Sequence, residues 1–274
     1  MRMMIHLGPK IRKGVFAVGS SGMGVLGLLC FQSVFFMSEA RAQSMSNETL
    51  EKTVEEARVP SLRSADGGIA QLLDQTTERL SPKIKAIVNG KALLELALEE
   101  GLGLWRQARQ RFQADAMVDD RPLYWQRLVI APMIRAQAKH LGLASAKVAQ
   151  LMASFEQASR GQTDVVWAKP NARRVLITGF DPFSLDNHIG QSNPSGAVAL
   201  ALDGRVFEVD GVMVEINAAV FPVRYPDFDA GILEQWLSPH LVNGSLDLFV
   251  SVSMGRDQFD LERFPGRRRS SSAL

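Results

Sequence analysis

Apolar side chains recur at three- and four-residue intervals through three successive stretches of the chain. They are Leu94, Leu98, Trp105, Ala108 and Phe112; then Tyr124, Leu128, Ala131, Ile134, Ala138 and Leu141; then Val148, Leu151 and Phe155. Each set forms one apolar stripe at the helical period and predicts an amphipathic helix. Gly101 and Gly103 weaken the first, each by up to about 1 kcal/mol against alanine, and Pro132 is expected to kink or split the second near Val129. Ser145 is a candidate cap for the third. Asp119-Asp120 ahead of Pro122 reads as a helix start, because acids favour the positive end of the helix dipole. With no histidine or third carboxylate nearby, the pair is a poor cation site. Upstream, Pro60, Gly67-Gly68 and Pro82 predict short pieces of helix and loop over residues 44–90.

After Gly161 the pattern changes. Gln162 to Ala172 reads as a linker. Arg174-Val-Leu-Ile-Thr-Gly179 is then a short run rich in β-branched residues closed by Asp181-Pro182, which predicts a buried strand running into a loop. Asn193-Pro194 is a helix N-cap with proline at the first helical position. Arg205–Val209 and Val212–Val220 are two strands joined across Asp210-Gly211, a hairpin signal. Ala230–Leu241 is expected to be helical, and Leu246–Val252 is another continuous apolar strand. Strand, helix, strand, helix, strand is the order of an α/β fold: an open, mostly parallel sheet with flanking helices, preceded here by an α-helical region. Ligands of such sheets sit at the carboxyl ends of the strands, which draws the eye to the loop after Gly179.

The block Thr178-Gly-Phe-Asp-Pro-Phe183 with Asn193-Pro194-Ser195 resembles the opening motif of type I pyroglutamyl peptidases. These are cysteine peptidases that remove an N-terminal pyroglutamyl (pyrrolidone-carboxylate) residue. Phe221-Pro222-Val223 is similar to the Leu-Pro-Val of the same family. The resemblance implies a hydrolase fold of the phosphorylase/hydrolase-like kind, and it implies that Phe180 and Phe183 wall a pocket for the flat pyrrolidone ring. It also maps the family's catalytic glutamate onto Glu262, which would orient an imidazole and stabilise its charged form during thiol attack. The residues around Glu262 depart from the family: Phe264-Pro-Gly-Arg267 replaces the usual aliphatic-Ala-x-Asn, Met254 stands where a small residue is usual, and the pocket glutamine is missing. The cysteine nucleophile and histidine base of the family lie downstream of the glutamate and have no counterpart in this chain, whose sheet domain is therefore expected to be truncated. Read without the family, Phe180 and Phe183 are ordinary core under a loop, since most aromatics are buried for packing, and Glu262-Arg263 is a solvated charged pair after a strand.

The first forty residues change the bulk properties. Arg2, Lys10, Arg12 and Lys13 precede an apolar run from Gly14 to Met37, and Ala40-Arg41-Ala42 has the small residues of a cleavage site. Residues 1–42 thus read as a signal peptide, with a membrane anchor over residues 14–37 as the alternative. Removing them takes five of 31 basic side chains and one of 29 acidic ones, so the formal charge moves from +2 to −2. That balance offers nothing to nucleic acid. Cys30 is the only cysteine among 274 residues and leaves with the leader, so no thiol nucleophile remains.

The chain divides into a leader (1–42), a helical extension (43–161), a linker (162–172) and the sheet domain (173–274). No metal constellation or phosphate loop is present, so no cofactor is expected. The reading is an exported pyroglutamyl-peptidase-like protein, secreted or in the cell envelope. It is inactive as it stands, touches membrane only through its N-terminal segment, and takes a peptide with N-terminal pyroglutamate as its partner. The alternatives are a non-catalytic binding module for blocked N-termini and a structural or interaction protein of the envelope.

Overall fold

The structure, a computed structural model, describes residues 2–7, 52–115, 119–242, 244–255 and 260–262; for residues 2–7, Asp115 and 260–262 it describes the backbone alone. The leader's apolar run from Gly14 to Met37 and the terminal arginines lie outside the described residues. After a strand β1 (Arg2–Leu7), six helices follow among the described residues: α1 (Val54–Ala57), α2 (Val59–Ala65), α3 (Gly67–Lys85), α4 (Gly90–Asp115), α5 (Arg121–His140) and α6 (Ser145–Ser159).

Local chemistry sets their starts. Thr53 and Glu56 form a reciprocal capping box on α1, and the Asp66 carboxylate accepts the Ile69 N–H at 3.0 Å to cap α3. Residues 54–85 are therefore more helical than their prolines suggest: Pro60 stands in the first turn of α2, and Pro82 falls in the last turn of α3. Helix α5 runs unbroken through Pro132. The proline removes one N–H, but the helix is buried along Leu123–Ile134 and packing holds it. Ser145 does not cap α6; the N-cap is Ala144, which makes no side-chain bond. Gly101 weakens its helix as an isolated element yet suits the packing, since a Cβ there would stand 2.8 Å from the Ala158 methyl and 3.0 Å from the Phe155 carbonyl. Alanine would push α4 off α6.

The sheet half follows as β2 (Arg173–Phe180), α7 (Pro194–Leu202), β3 (Val206–Val209), β4 (Val212–Phe221), α8 (Tyr225–Asp229), α9 (Ile232–Val242) and β5 (Leu248–Gly255). Strands β4, β2 and β5 are parallel neighbours with β2 in the middle, and β3 pairs antiparallel on the outer side of β4. Asp210 (φ 50°) and Gly211 (φ 77°) both have positive φ, as the two-residue turn between β3 and β4 requires. The expected helix Ala230–Leu241 is α9, which starts at Ile232 after Gly231 (φ 78°), and the short α8 precedes it. On the far side of β5 the backbone of β1 (Arg2–Leu7) pairs antiparallel, followed by β6 (Asp260–Glu262) parallel to β1. β1 thus covers the far edge of β5 in the full chain, and cleavage after Ala42 would remove it.

One hydrophobic core runs through both halves. Trp105, Phe112, Leu123, Ile130 and Phe155 of the helices share a continuous cluster with Val175, Ile177, Leu200, Ile216, Val220 and Val250 of the sheet half. The stretch read as a linker is a strap. Val166 exchanges hydrogen bonds with the Asn217 side-chain amide, and the Ala168 and Lys169 N–H groups donate to the Glu215 carboxylate at 2.7 and 3.0 Å. Two polar side chains buried on β4 therefore have the strap as their partner.

Candidate functional site

The two motif fragments, ten residues apart in sequence, interlock at the carboxyl end of β2. The Asn193 side-chain oxygen accepts the Ser195 N–H at 3.1 Å and the Ser195 hydroxyl at 2.8 Å. The Ser195 Oγ in turn accepts the Phe180 N–H at 3.1 Å, and Asn193 Nδ2 donates to the Asp181 carbonyl at 2.9 Å. Gly179 permits this closeness, since a Cβ there would lie 2.2 Å from the Ser195 carbonyl oxygen. Strand end, loop and helix start are therefore one rigid piece. At the same end the connection from β2 departs towards β4, while that from β4 returns across β2 to β5. That reversal is the place where open sheets bind ligands.

Phe180 is half-buried, with its ring centroid 6.0 Å from that of Phe228 on α8. Phe183 is also half-buried, and the intervening Asp181-Pro182 is buried. Gln191, in the loop between them and α7, approaches Met254 Sδ of β5 at 4.0 Å. Glu262 lies in β6, separated from β2 by β5 and β1, so its backbone is about three interstrand spacings, or 14 Å, away from β2. Its side chain is outside the described residues. A cavity of about 500 Å³ opens elsewhere, between α1, α2 and α5, lined by Val59, Pro60, Leu128, Pro132 and Arg135 among others; neither Phe180 nor Phe183 borders it.

The helical half reaches into this strand end with three charged groups. Arg127 of α5, fully buried, donates to Asp181 Oδ1 at 2.7 Å. Arg160, at the end of α6, donates through Nε to Asp181 Oδ2 at 3.0 Å and pairs also with Glu156. Burial alone would push the Asp181 carboxyl up, but the two guanidinium groups outweigh it and hold it below the usual carboxylate range. Burial, with Arg127 nearby, brings Arg160 down to about 10. The third group is Asp120. It does not cap α5 with its side chain, as its place before Pro122 suggested; its carboxylate turns away and accepts the Asn193 N–H at 3.1 and 3.2 Å. Burial, with the Asp181 charge adding to it, pushes the Asp120 carboxyl up to about 8. Around this set, Arg224 pairs with Glu55 at 3.1 Å and Asp227 at 2.6 Å, and the Tyr124 hydroxyl donates to Glu55 at 3.3 Å.

A further buried carboxylate ties the halves together: Asp203, just past the end of α7, accepts from Trp105 Nε1 at 3.0 Å, Arg109 Nη1 at 3.0 Å and the Ala218 N–H at 2.8 Å.

Sequence reasoning missed Asp120, Arg127, Arg160 and Asp203 as partners of the sheet. A signal for Arg127 was present: with Tyr124 and Leu128 it lies on the apolar stripe of α5, and a charge on a buried stripe calls for a buried counter-charge. The Nε and Nη1 of Arg127 and the Oγ1 of Thr178 have no hydrogen-bond partner among the described residues.

Two family descriptions match this chain. Residues 38–156 are similar to the PA0049 N-terminal domain, and residues 174–273 to the PA0049 C-terminal domain. The Pseudomonas aeruginosa protein described as uncharacterized protein PA0049 is 39% identical over 204 residues, covering 66% of this chain and 37% of the relative. The chain thus spans little more than a third of the curated relative it matches. No solved structure matches it. None of these descriptions names an activity.

Proposed function

We propose that the sheet half is a pyroglutamyl-peptidase-like domain of an exported protein, and that this chain by itself holds blocked N-termini without cleaving them. The observation that carries the reading is the interlock of Phe180–Phe183 with Asn193–Ser195 at the carboxyl end of the middle parallel strand. It fixes the backbone at Phe180 and Asp181, two residues before Phe183, and an aromatic-walled site suits a flat, weakly polar ring. With Cys30 in the leader, the exported chain has no thiol to attack an amide. Glu262 is assigned as the orienting acid of a constellation whose other members this chain does not contain. Export is proposed on the basic, apolar and small-residue pattern of residues 1–42.

The test is calorimetric titration of the leader-free protein with a short pyroglutamyl peptide and with the same peptide carrying a free N-terminal glutamine. Saturable binding of the blocked peptide alone supports the reading, and Phe180→Ala should weaken it about tenfold or more, the cost of losing one aromatic wall. Equal or absent binding of both peptides refutes it. Release of 5-oxoproline at an enzymatic rate would overturn the assignment of this chain as non-catalytic.

A further inference from the structure

The protein closes most of the outer edge of β4 with its own groups. Below the hairpin, the outward N–H of Ile216 donates to the Arg205 carbonyl at 2.9 Å, that of Ala218 to Asp203 Oδ1 at 2.8 Å, and that of Val220 to the Arg160 carbonyl at 3.0 Å. The outward carbonyls of Ile216 and Val220 accept from the Gly204 N–H and from Gln162 Nε2. Above it the edge passes to β3, which ends the strand order of the sheet. Val209 faces Val212 across a two-residue turn, so Val209, Phe207 and Arg205 direct their backbone groups to β4. Those of Val206 and Glu208 point outward, away from β4.

The side chains on this hairpin are unusual for an edge. Phe207 is 42% exposed, Val209 54%, Val212 44% and Met213 41%. The strand Val206–Val209 carries no lysine, proline or bulge of the kind that blunts edges. Large apolar groups on both strands, beside backbone donors and acceptors that have no partner among the described residues, form a template for one more strand.

We propose that β3 pairs antiparallel with β3 of a second copy of this chain about a two-fold axis through Phe207, joining two sheets into one. Outward Val206 then exchanges both backbone hydrogen bonds with the partner's Glu208, and outward Glu208 with the partner's Val206, giving four bonds. Phe207 sits opposite the partner's Phe207 in the closer, non-hydrogen-bonded pair, where aromatic contact is favoured. Val209 lies against the aliphatic stem of the partner's Arg205. Charge and strand length select this register. A two-fold axis through Glu208 sets two carboxylates directly opposite each other, and one through Val206 sets Glu208 opposite Gly204, which lies outside the strand and gives its N–H to Ile216, so that only the central pair can bond. A four-residue strand pair is small beside the ~1,200 Å² of a stable interface, so the dimer dissociates at about 10 to 100 μM.

The test is sedimentation of the full-length chain from about 1 to 300 μM, a range that brackets the expected dissociation constant, with hydrogen exchange measured at both ends. Association is expected in that range, with the Val206 and Glu208 amides slowing as concentration rises while the Val214 amide stays protected throughout. Glu208→Pro removes one outward N–H and none directed at β4, so it should leave the melting temperature near that of the wild type and weaken association at least tenfold. Phe207→Asp should do the same by setting two carboxylates in the close pair. A chain that stays monomeric to 300 μM overturns the proposal. So does a dimer that both variants leave intact, or one whose formation does not slow exchange at Val206 and Glu208.

Discussion

Asp120 gives the sharpest test of how the helical half is fastened to the sheet. Its carboxyl is 4% exposed, receives the Asn193 N–H, and lies near the ionised Asp181, so burial and that charge raise it from 3.8 to about 8. Below pH 4 the carboxyl is protonated in both folded and unfolded chains and costs nothing. Between about 4 and 8 the folded protein keeps a proton that the unfolded chain has released, so stability falls with rising pH by up to about 1.4 kcal/mol per unit. Above 8 both states are ionised and the cost is constant. From pH 5.5 to 7.5 the loss is therefore about 3 kcal/mol, a large share of the 5 to 15 kcal/mol of an ordinary domain.

Asp120→Asn keeps the acceptor for Asn193 and abolishes the titration. Asp203, also raised by burial, adds to the same slope, and His240, lowered by burial, opposes it; both are unchanged in the variant and cancel in the difference. Urea unfolding at pH 5.5 and 7.5 should show the variant gaining about 3 kcal/mol on the wild type between the two. Parallel pH slopes for the two proteins would refute the reasoning, because Asp120 would then be ionised or solvated in the folded state.

Further outcomes follow from the same contacts. Arg127→Met leaves Asp181 with Arg160 alone and should cost about 3 to 5 kcal/mol in urea unfolding, and adding Asp181→Asn should return part of that loss. Gly161→Ala should destabilise by more than about 2 kcal/mol in thermal melts, since φ is 75° and the new methyl would fall 2.3 Å from the Trp105 ring. Residues 173–274 expressed alone should be insoluble or unfolded by circular dichroism, because Asp181 and Asp203 would lose Arg127, Arg160, Trp105 and Arg109. A cooperative melt of that fragment as a monomer would contradict this.

Much of the fold was written in short-range pattern. The stripes of α4, α5 and α6, the apolar run of β2, the Asp210-Gly211 turn and the Asn193-Pro194 start of α7 are each fixed by neighbours within a few positions, so period and turn chemistry suffice to read them. The strand end and loop at Thr178–Phe183 were legible for the same reason, and their link to Asn193–Ser195 spans one loop.

What tertiary structure alone decided is the use of polar residues whose partners lie far along the chain. Asp119 and Asp120 look alike as a pair before a proline, yet Asp119 bonds locally to Arg121 while Asp120 is buried against Asn193, 73 positions away. Pro132 predicts a break that burial overrides, and Gln162–Ala172 has a linker's composition but binds two buried side chains of β4. A stripe or turn is an average over many weak local preferences, so sequence reports it well. A buried charge has one partner, chosen by where packing brings the backbone, and no local window contains that choice.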